Sequence, residues 1–470
     1  MRFNPQVARF ALLAAALLAA TAVMGQSSQF QGSVPSGNAS PSPLALTLHD
    51  AIDRGLKANL GFLTSDTASE TARGERLNAL SALMPRLSAG INQAEEQINL
   101  KTIGFDLHIP GVSIPIISGP FHYTDVRAYA SWNAYDYSAR KNLRAAEESR
   151  RAAQLSVMDA RDLVVQATAN AYLQIIADAS RLDAIRSQVE TSQALYDRAV
   201  DQQTAGTAAG IDVLRSQVEL KQQQQRLLAQ TDQFEKDKLA LGRVIGLPGG
   251  QSFNLAEGAP FAPLTGVTQE QALQIAREQR ADFQSYKARV LAAEQSVAAA
   301  RGEHYPTADI TADYGDVGPT LASSHGTFTV TASARVTVFD GGKISSDTIQ
   351  AKAALKQRQD ELADLGGRIE YEIRSAFLDI RTASDQVTVA RDNLDLANQT
   401  LVQARDRFSA GVTDNIEVVQ AQESVATAND EIISALFAHN VAKVALARGL
   451  GGAEEGILKL LPVARDKEVK

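Results

Sequence analysis

The side chains that could do chemistry in this chain are present, but their spacing does not suit an enzyme. The six histidines are His49, His108, His122, His304, His325 and His439, and none forms an HExxH pair or another ligand spacing. No GxSxG, P-loop or GxGxxG stretch occurs. Cysteine is absent, which removes disulfides, thiolate metal sites, a thiol nucleophile and a lipid-modified N-terminal cysteine. With only four methionines besides, nothing points to a soft-metal route. His439 falls on an apolar helical seam, where a packed imidazole is the ordinary outcome. Carboxylates are plentiful, but on long helices they form a solvated face. No catalytic residue, cofactor or metal is therefore assigned, and no enzyme is expected.

Other polar residues alternate with apolar ones. In the segment 327–339, Phe328, Val330, Ala332, Ala334, Val336 and Val338 interleave with Thr329, Thr331, Ser333, Arg335 and Thr337. In 123–136, Val126, Ala128, Ala130, Trp132 and Ala134 interleave with Asp125, Arg127, Tyr129, Ser131 and Asn133. The segments 86–97 and 307–316 repeat the pattern, the latter with Ala308, Ile310 and Ala312 against Asp309, Thr311 and Asp313. A period of two marks strands with one oily and one wet face. A soluble sandwich would show the same alternation, but with larger Ile, Leu and Phe and more than four strands. A length of about ten residues is what a tilted transmembrane strand needs. Phe121, Tyr123, Tyr135, Tyr137 and Phe339 gather at the strand ends, where membrane interfaces favour aromatics. On this reading Trp132, Val330, Ala332 and Val336 face lipid, and Arg127, Arg335, Asp125, Asp309 and Asp313 face a lumen. Four strands do not close a barrel, and open edges in lipid leave backbone groups unpaired. The barrel must be shared between chains.

The elements around these strands are helices. Ile369, Ile373, Ala376, Ile380, Ala383, Val387, Ala390, Leu394, Ala397, Leu401, Ala404 and Phe408 follow gaps of four and three. This is a heptad seam in which large residues alternate with alanine, so neighbouring helices approach closely. Val418, Ala421, Val425, Ala428, Ile432 and Ala435 continue it on a return helix, and Val165, Ala169, Tyr172 and Ile176 give a looser version upstream. A helix from Lys343 to Phe408 reaches roughly 100 Å at 1.5 Å per residue. Gly366-Gly367 interrupts it, and a bend or a close helix contact is expected there.

The chain is also written twice. A shift of 221 carries Ala51–Leu56 onto Ala272–Arg277 and Pro85 onto Pro306. A shift of 204 carries WNAYD (132–136) onto VTVFD (336–340), and one of 205 carries TAGTAAGIDVL (204–214) onto SAGVTDNIEVV (409–419). The first copy holds 17 extra residues within Asn99–Gly119, read as an outward loop. In the resulting division, residues 1–25 are a signal peptide with Arg2 and Arg9 before an apolar run too short to span a membrane. A disordered lead-in follows at 26–45. The first repeat is 46–250, with strands 86–97 and 123–136 and a helical hairpin 138–245. A linker covers 251–266. The second repeat is 267–452, with strands 307–316 and 327–339 and a hairpin 341–448, and 453–470 is a C-terminal tail. Net charge is −8, hydrophobic content 44% and aromatic content 6%, which suits Ala-rich packed helices and argues against nucleic acid as the partner.

Duplicated halves, two strands per half, strand running into long helix, and glycine turns together resemble the TolC family of outer membrane efflux proteins. The sharpest elements are VFDGGK (338–343), the turns AGTAAGIDVL and AGVTDNIEVV, and IGLP (245–248). The resemblance spans essentially the whole mature chain. It implies a mainly α fold with a small transmembrane β part, in which four strands per chain join a trimeric 12-stranded barrel continued by an α-helical coiled-coil tunnel. It also implies a homotrimer in the outer membrane of a Gram-negative-type cell, embedded in lipid, docked on a periplasmic adaptor and an inner-membrane transporter. The exported material would be small molecules or proteins. At the inner turn the family's first acidic position matches Glu417, its second matches Gln420, and its gating arginine falls at Thr413. Glu417, reinforced by Asp414, would then form an acidic ring at the periplasmic entrance, with Asp212 the equivalent in the first copy. Helix-dipole stabilisation alone also accounts for a carboxylate at either position. Two rivals stand beside this reading: a periplasmic adaptor, which carries one helical hairpin in a β-rich module, and a coiled-coil surface fibre, which would lack the repeated strands.

Overall fold

The computed structural model describes residues 30–104, 115–207, 209–258, 260–410, 412–413 and 415–461. The signal segment, Asp414, Gly411 and the centre of the 99–119 loop lie outside the described residues. In chain order the elements are β1 (Leu44–Leu46), α1 (Leu48–Ala58), α2 (Leu60–Ser81), β2 (Arg86–Asn99), β3 (Ile117–Tyr135), α3 (Tyr137–Thr204) and α4 (Gly210–Val244). There follow β4 (Phe253–Leu255), α5 (Gln269–Gln279), α6 (Ala281–Gly302), β5 (Thr307–Gly318), β6 (His325–Arg335), α7 (Lys343–Ser409), α8 (Asn415–Leu450) and α9 (Ala453–Leu460). No described helix is long and apolar enough to cross a membrane.

The residues divide into two compact units that cut across the repeats, each copy contributing to both. One unit takes Glu70–Ala152 and Tyr286–Glu361, the other the described residues of 30–69, 153–285 and 362–461. The first unit holds an antiparallel four-stranded sheet of order β2-β3-β5-β6. The strands of the two copies meet at the β3–β5 pair, which leaves β2 and β6 as the edges. Prolines start both copies' strand pairs: Pro85 and Pro306 directly precede β2 and β5. This explains a correction to the sequence reading. The strand expected to reach residue 339 ends at Arg335, because Arg335 pairs with Thr307, the first residue of β5. Beyond Thr307 stands Pro306, which has no N–H to continue the ladder. Val336 therefore lies one residue past the strand. Asp340 then caps α7, its carboxylate accepting from Ile344 N (2.6 Å) and Gly342 N (2.9 Å). The equivalent Asp136 accepts from Ala139 N at 2.8 Å and caps α3. Both strand-to-helix joints rest on an aspartate at matching positions.

The second unit is helical. Its core joins β1, α1, the middle of α3, the end of α4, the end of α8 and α9 through Leu46, Ile52, Val165, Tyr172, Leu241, Phe253, Val444 and Ile457. Ten of the twelve seam positions in α7 are buried within one chain, Leu394 and Phe408 being half-buried. The small alanines between Ile373, Ile380 and Val387 let this seam close. Helix α7 runs unbroken through Gly366-Gly367, and a Cβ at Gly366 would meet only the Phe283 ring at 3.9 Å.

Two further expectations are corrected here. The lead-in at 26–45 is ordered where it is described: Val34 N donates to Ala58 O (2.8 Å), Leu60 N to Gly32 O (2.9 Å), and β1 pairs in parallel with β4. Its many Ser, Pro and Gly residues have low intrinsic order, yet they satisfy backbone groups at the α1–α2 joint. The C-terminal tail contains α9, whose Ile457 is fully buried, as is Ala453. An eight-residue helix is marginal alone and is held by packing.

Candidate functional site

The register of the sheet sorts its side chains by polarity. Gly90, Arg127, Gly315 and Thr327 lie in one row across the four strands, and Asn133, Asp309 and Ser333 in another on the same face. Asp125, Asp313 and Arg335 share that face by alternation. Arg127 binds the two aspartates together. Its Nε donates to Asp125 (3.2 Å), its Nη1 to Asp313, and its Nη2 to Thr327 Oγ1 at 2.9 Å. The guanidinium thus links β3, β5 and β6, and Gly315 leaves it room, since a Cβ there would sit 2.8 Å from Arg127 Cα.

The opposite face carries Ile91, Ala128, Trp132, Ile310, Ala312, Phe328, Val330 and Ala332. Val330 is 67% exposed and Phe328 74%, unusual for large apolar groups on a folded sheet. A hollow of about 600 Å³ on this face is lined chiefly by Leu87, Ala89, Ala128, Ala130, Tyr314 and Phe328. Its walls hold no array of catalytic groups. Trp132 sits near the helical end of its strand, its indole N–H donating to Leu83 O at 3.0 Å. Tyr137 and Tyr305 stack edge-to-face at 5.0 Å at the same end.

In the helical unit each hairpin turns within a few residues. Glu417 stands in the first turn of α8, and Arg407 near the end of α7 reaches across to it at 3.1 Å. Both side chains are well exposed. Asp212 stands in the first turn of α4, 3.5 Å from Arg215. The Arg407 partner was missed by sequence reasoning, because ten residues separate it from Glu417 and only the turn geometry brings them together.

Also missed was a buried set of charges where α5 meets α6. Arg280 is the one residue between these helices and its side chain is 2% exposed. It holds Asp282 through Nε (3.1 Å) and Nη2 (2.7 Å), and Glu372 of α7 through Nη1 (2.6 Å). Arg448 of α8 touches Asp282 at 3.4 Å and Asp159 of α3 at 2.7 Å. Burial alone would push the Asp282 carboxyl up, but Arg280 and then Arg448 outweigh it and hold it below the usual carboxylate range. Asp159 goes the other way, pushed up to about 6 chiefly by burial, with Arg448 opposing. Among the described residues no group of His, Cys, Asp and Glu is arranged to hold a metal ion.

Residues 272–452 match the family model described as outer membrane efflux protein. That stretch falls within the second repeat, and over it the chain is similar to the family. The probable efflux pump outer membrane protein SepC of Pseudomonas putida is 24% identical over 396 residues, covering 80% of this chain and 77% of that protein. The pyoverdine export outer membrane protein OpmQ of Pseudomonas aeruginosa is 23% identical over 328 residues, covering 67% and 65%. Among solved structures, the Campylobacter jejuni CmeC outer membrane channel is similar at a TM-score of 0.75 and 16% identity, over 90% of this chain and 92% of that one. The fold is that of the TolC-like channels, and with its relatives the protein is an outer membrane efflux channel with its helical part in the periplasm.

Proposed function

We propose that three copies of the chain assemble into one exit duct, with β6 of each copy pairing to β2 of the next. Exported compounds would be handed to it by a periplasmic adaptor and an inner-membrane transporter. The observation that carries this reading is the four-stranded sheet, charged on one face, oily on the other and unpaired along both edges. Edges of that kind are not tolerated in lipid, where each unpaired group costs several kcal/mol, so closure by further copies is required. In such a barrel Asp125, Arg127, Asp309, Asp313 and Arg335 line the lumen, while Trp132, Val330 and Ala332 face lipid and Val336 lies at the rim. The aromatic cluster Trp132–Tyr137–Tyr305 suits the periplasmic interface. Glu417 and Asp212 occupy the hairpin turns, and the entrance charge there is set by Glu417 together with Arg407. The toluene and pyoverdine in the relatives' names belong to those proteins; for this chain the cargo is proposed only as compounds delivered by its pump. Outer membranes extracted in mild detergent test the assembly. Unheated samples should migrate in SDS as an oligomer or compact barrel and shift to the position of the single unfolded chain on boiling. Migration at the monomer position with and without heating, from a soluble fraction, would return the chain to the adaptor reading.

A further inference from the structure

The first turns of α3 carry charges of the wrong sign for a helix start. Arg140, Lys141 and Arg144 follow Tyr137, and no carboxylate intervenes before Glu147. The acid just upstream, Asp136, is committed to capping the helix. A helix N-terminus favours anions and disfavours cations, so helix stability does not account for these three. The second copy does not repeat them: the shift of 204 places Ile344, Ser345 and Thr348 at the same positions. Its own cation there, Lys343, is held by Glu303 (2.9 Å) and Asp347 (2.7 Å). Lys141 is likewise engaged, donating to Gln295 Oε1 at 3.1 Å beside the Tyr137 ring. Arg140 and Arg144 are exposed and, among the described residues, enter no ion pair.

Tyr135 fixes the side of the sheet on which they stand. The guanidinium of Arg140 stacks 5.1 Å from the centre of the Tyr135 ring. Odd-numbered residues of β3 lie on the polar face as far as Asn133, but the register shifts between Asn133 and Tyr135. Tyr135 therefore opposes Ala308, in the row that continues to Ala334, and joins the oily face. It is 40% exposed there. Arg144 stands one turn farther along the same face of α3, about 6 Å from Arg140 along the axis. Strand β3 is paired on both sides within the chain, by β2 and β5, so this patch lies away from the sheet edges where another copy would join. Two unpaired guanidinium groups thus mark the place where the oily band ends, next to the aromatic side chains of Tyr135 and Trp132.

We propose that Arg140 and Arg144 clamp the phosphate of an anionic phospholipid at the periplasmic rim of the barrel, with its acyl chains lying on the apolar sheet face beyond Tyr135. This inference rests on the reading of the sheet as part of a membrane barrel. Guanidinium groups suit a phosphodiester because their N–H forks match its two free oxygens. The Tyr135 ring beneath Arg140 holds the charge at headgroup level while its own apolar body stays with the lipid tails. A zwitterionic lipid offers the same phosphate but brings a cation of its own, which the two arginines repel, so an anionic headgroup is favoured. A free phosphate ion has the charge but nothing to lay against the oily face, and continuity of the patch with that face makes lipid the occupant. The clamp exists once per chain, because only the first copy carries the arginines.

The test is native mass spectrometry of the detergent-solubilised assembly titrated with phosphatidylglycerol, with phosphatidylcholine and inorganic phosphate as the other arms. The native assembly should retain phosphatidylglycerol in preference to phosphatidylcholine, and inorganic phosphate should not displace it. Arg140→Gln and Arg144→Gln should each weaken retention about fivefold, and the double change about twenty-five-fold, the effect of one and two basic groups near an anionic headgroup. Arg140→Lys, which keeps the charge but loses the fork, should fall between native and Arg140→Gln. Lys352→Gln, which removes an exposed cation from α7, should leave retention unchanged. No lipid preference in the native assembly, a preference kept in the double variant, an equal loss in Lys352→Gln, or ready displacement by inorganic phosphate each overturns the clamp. The same spectra report the mass of the assembly. An oligomer without lipid preference sinks the clamp alone, whereas a lone chain that needs no detergent sinks the duct reading and the clamp together.

Discussion

At the scale of single residues, the charges of this chain separate into exposed pairs at the hairpin turns and a buried set at the α5–α6 joint. Arg407 and Glu417 are both well exposed, so their 3.1 Å contact contributes about 0–1 kcal/mol to stability. Its weight is electrostatic. A ring of carboxylates in a narrow opening favours cations, and a guanidinium beside each one offsets that preference. Removing the acid and removing the base should therefore have opposite effects. In planar bilayers, Glu417→Gln with Asp414→Asn is expected to lower cation selectivity and divalent block, and Arg407→Gln to raise both, with thermal stability unchanged. Asp212→Asn should do much less. Equal selectivity in all of these channels would leave helix-dipole stabilisation as the role of Glu417.

Among the elements, β6 gives the sharpest test, since adjacent residues sit on opposite faces of one strand. Ala332 pairs with Ile310 on the oily face and Thr331 with Thr311 on the polar one. Arginine in place of Ala332 should cost about 2–4 kcal/mol if that face meets the bilayer midplane, and arginine at Thr331 much less. Unfolding from detergent or lipid by denaturant reads the difference, and equal costs at the two positions would remove the membrane assignment of this strand. The helices show how local signals repeat with the duplication. Thr47 caps α1 in a box with Asp50, and Thr268, 221 positions later, caps α5 in a box with Gln271. The same shift places Asn59 and Arg280 in the two helix joints. Asn59 fastens the lead-in by donating to Phe30 O at 2.6 Å, whereas Arg280 binds the carboxylates of Asp282 and Glu372, the first of which is shared with Arg448. One ancestral joint has been filled in two chemical ways.

For the whole molecule, the open edges of the sheet decide the assembly. If β6 of one copy pairs with β2 of the next, cysteines introduced in the two edge strands must meet between chains. The absence of native cysteine makes this clean. With Ile91→Cys fixed in β2 and single cysteines stepped through Phe328, Val330 and Ala332 in β6, at least one register should give disulfide-linked dimers and trimers in the membrane. Only monomers at every register would refute closure by edge pairing.

The sequence by itself determined the duplication, the two-faced strands, the heptad seam and the glycine turns. Each of these is a periodic or local property, written at spacings of two, seven or a few residues. Side chains that alternate along a strand must alternate in space, so the polar set around Arg127 and the apolar set around Val330 were legible before any coordinate. The end of β6 at Arg335 was not, because Val336 and Val338 continue the alternation and only the partner strand, stopped by Pro306, ends the ladder. Nor was the order in the lead-in, whose composition is that of a loop but whose backbone groups find fixed partners at Ala58 and Gly246. The tertiary structure alone decided which charges meet. Arg407 and Glu417, or Asp159 and Arg448 at a separation of 289 residues, carry no shared pattern in sequence. The first pairing depends on the turn of one hairpin and the second on how helices from both copies come together, and the balance of buried charge depends on the latter.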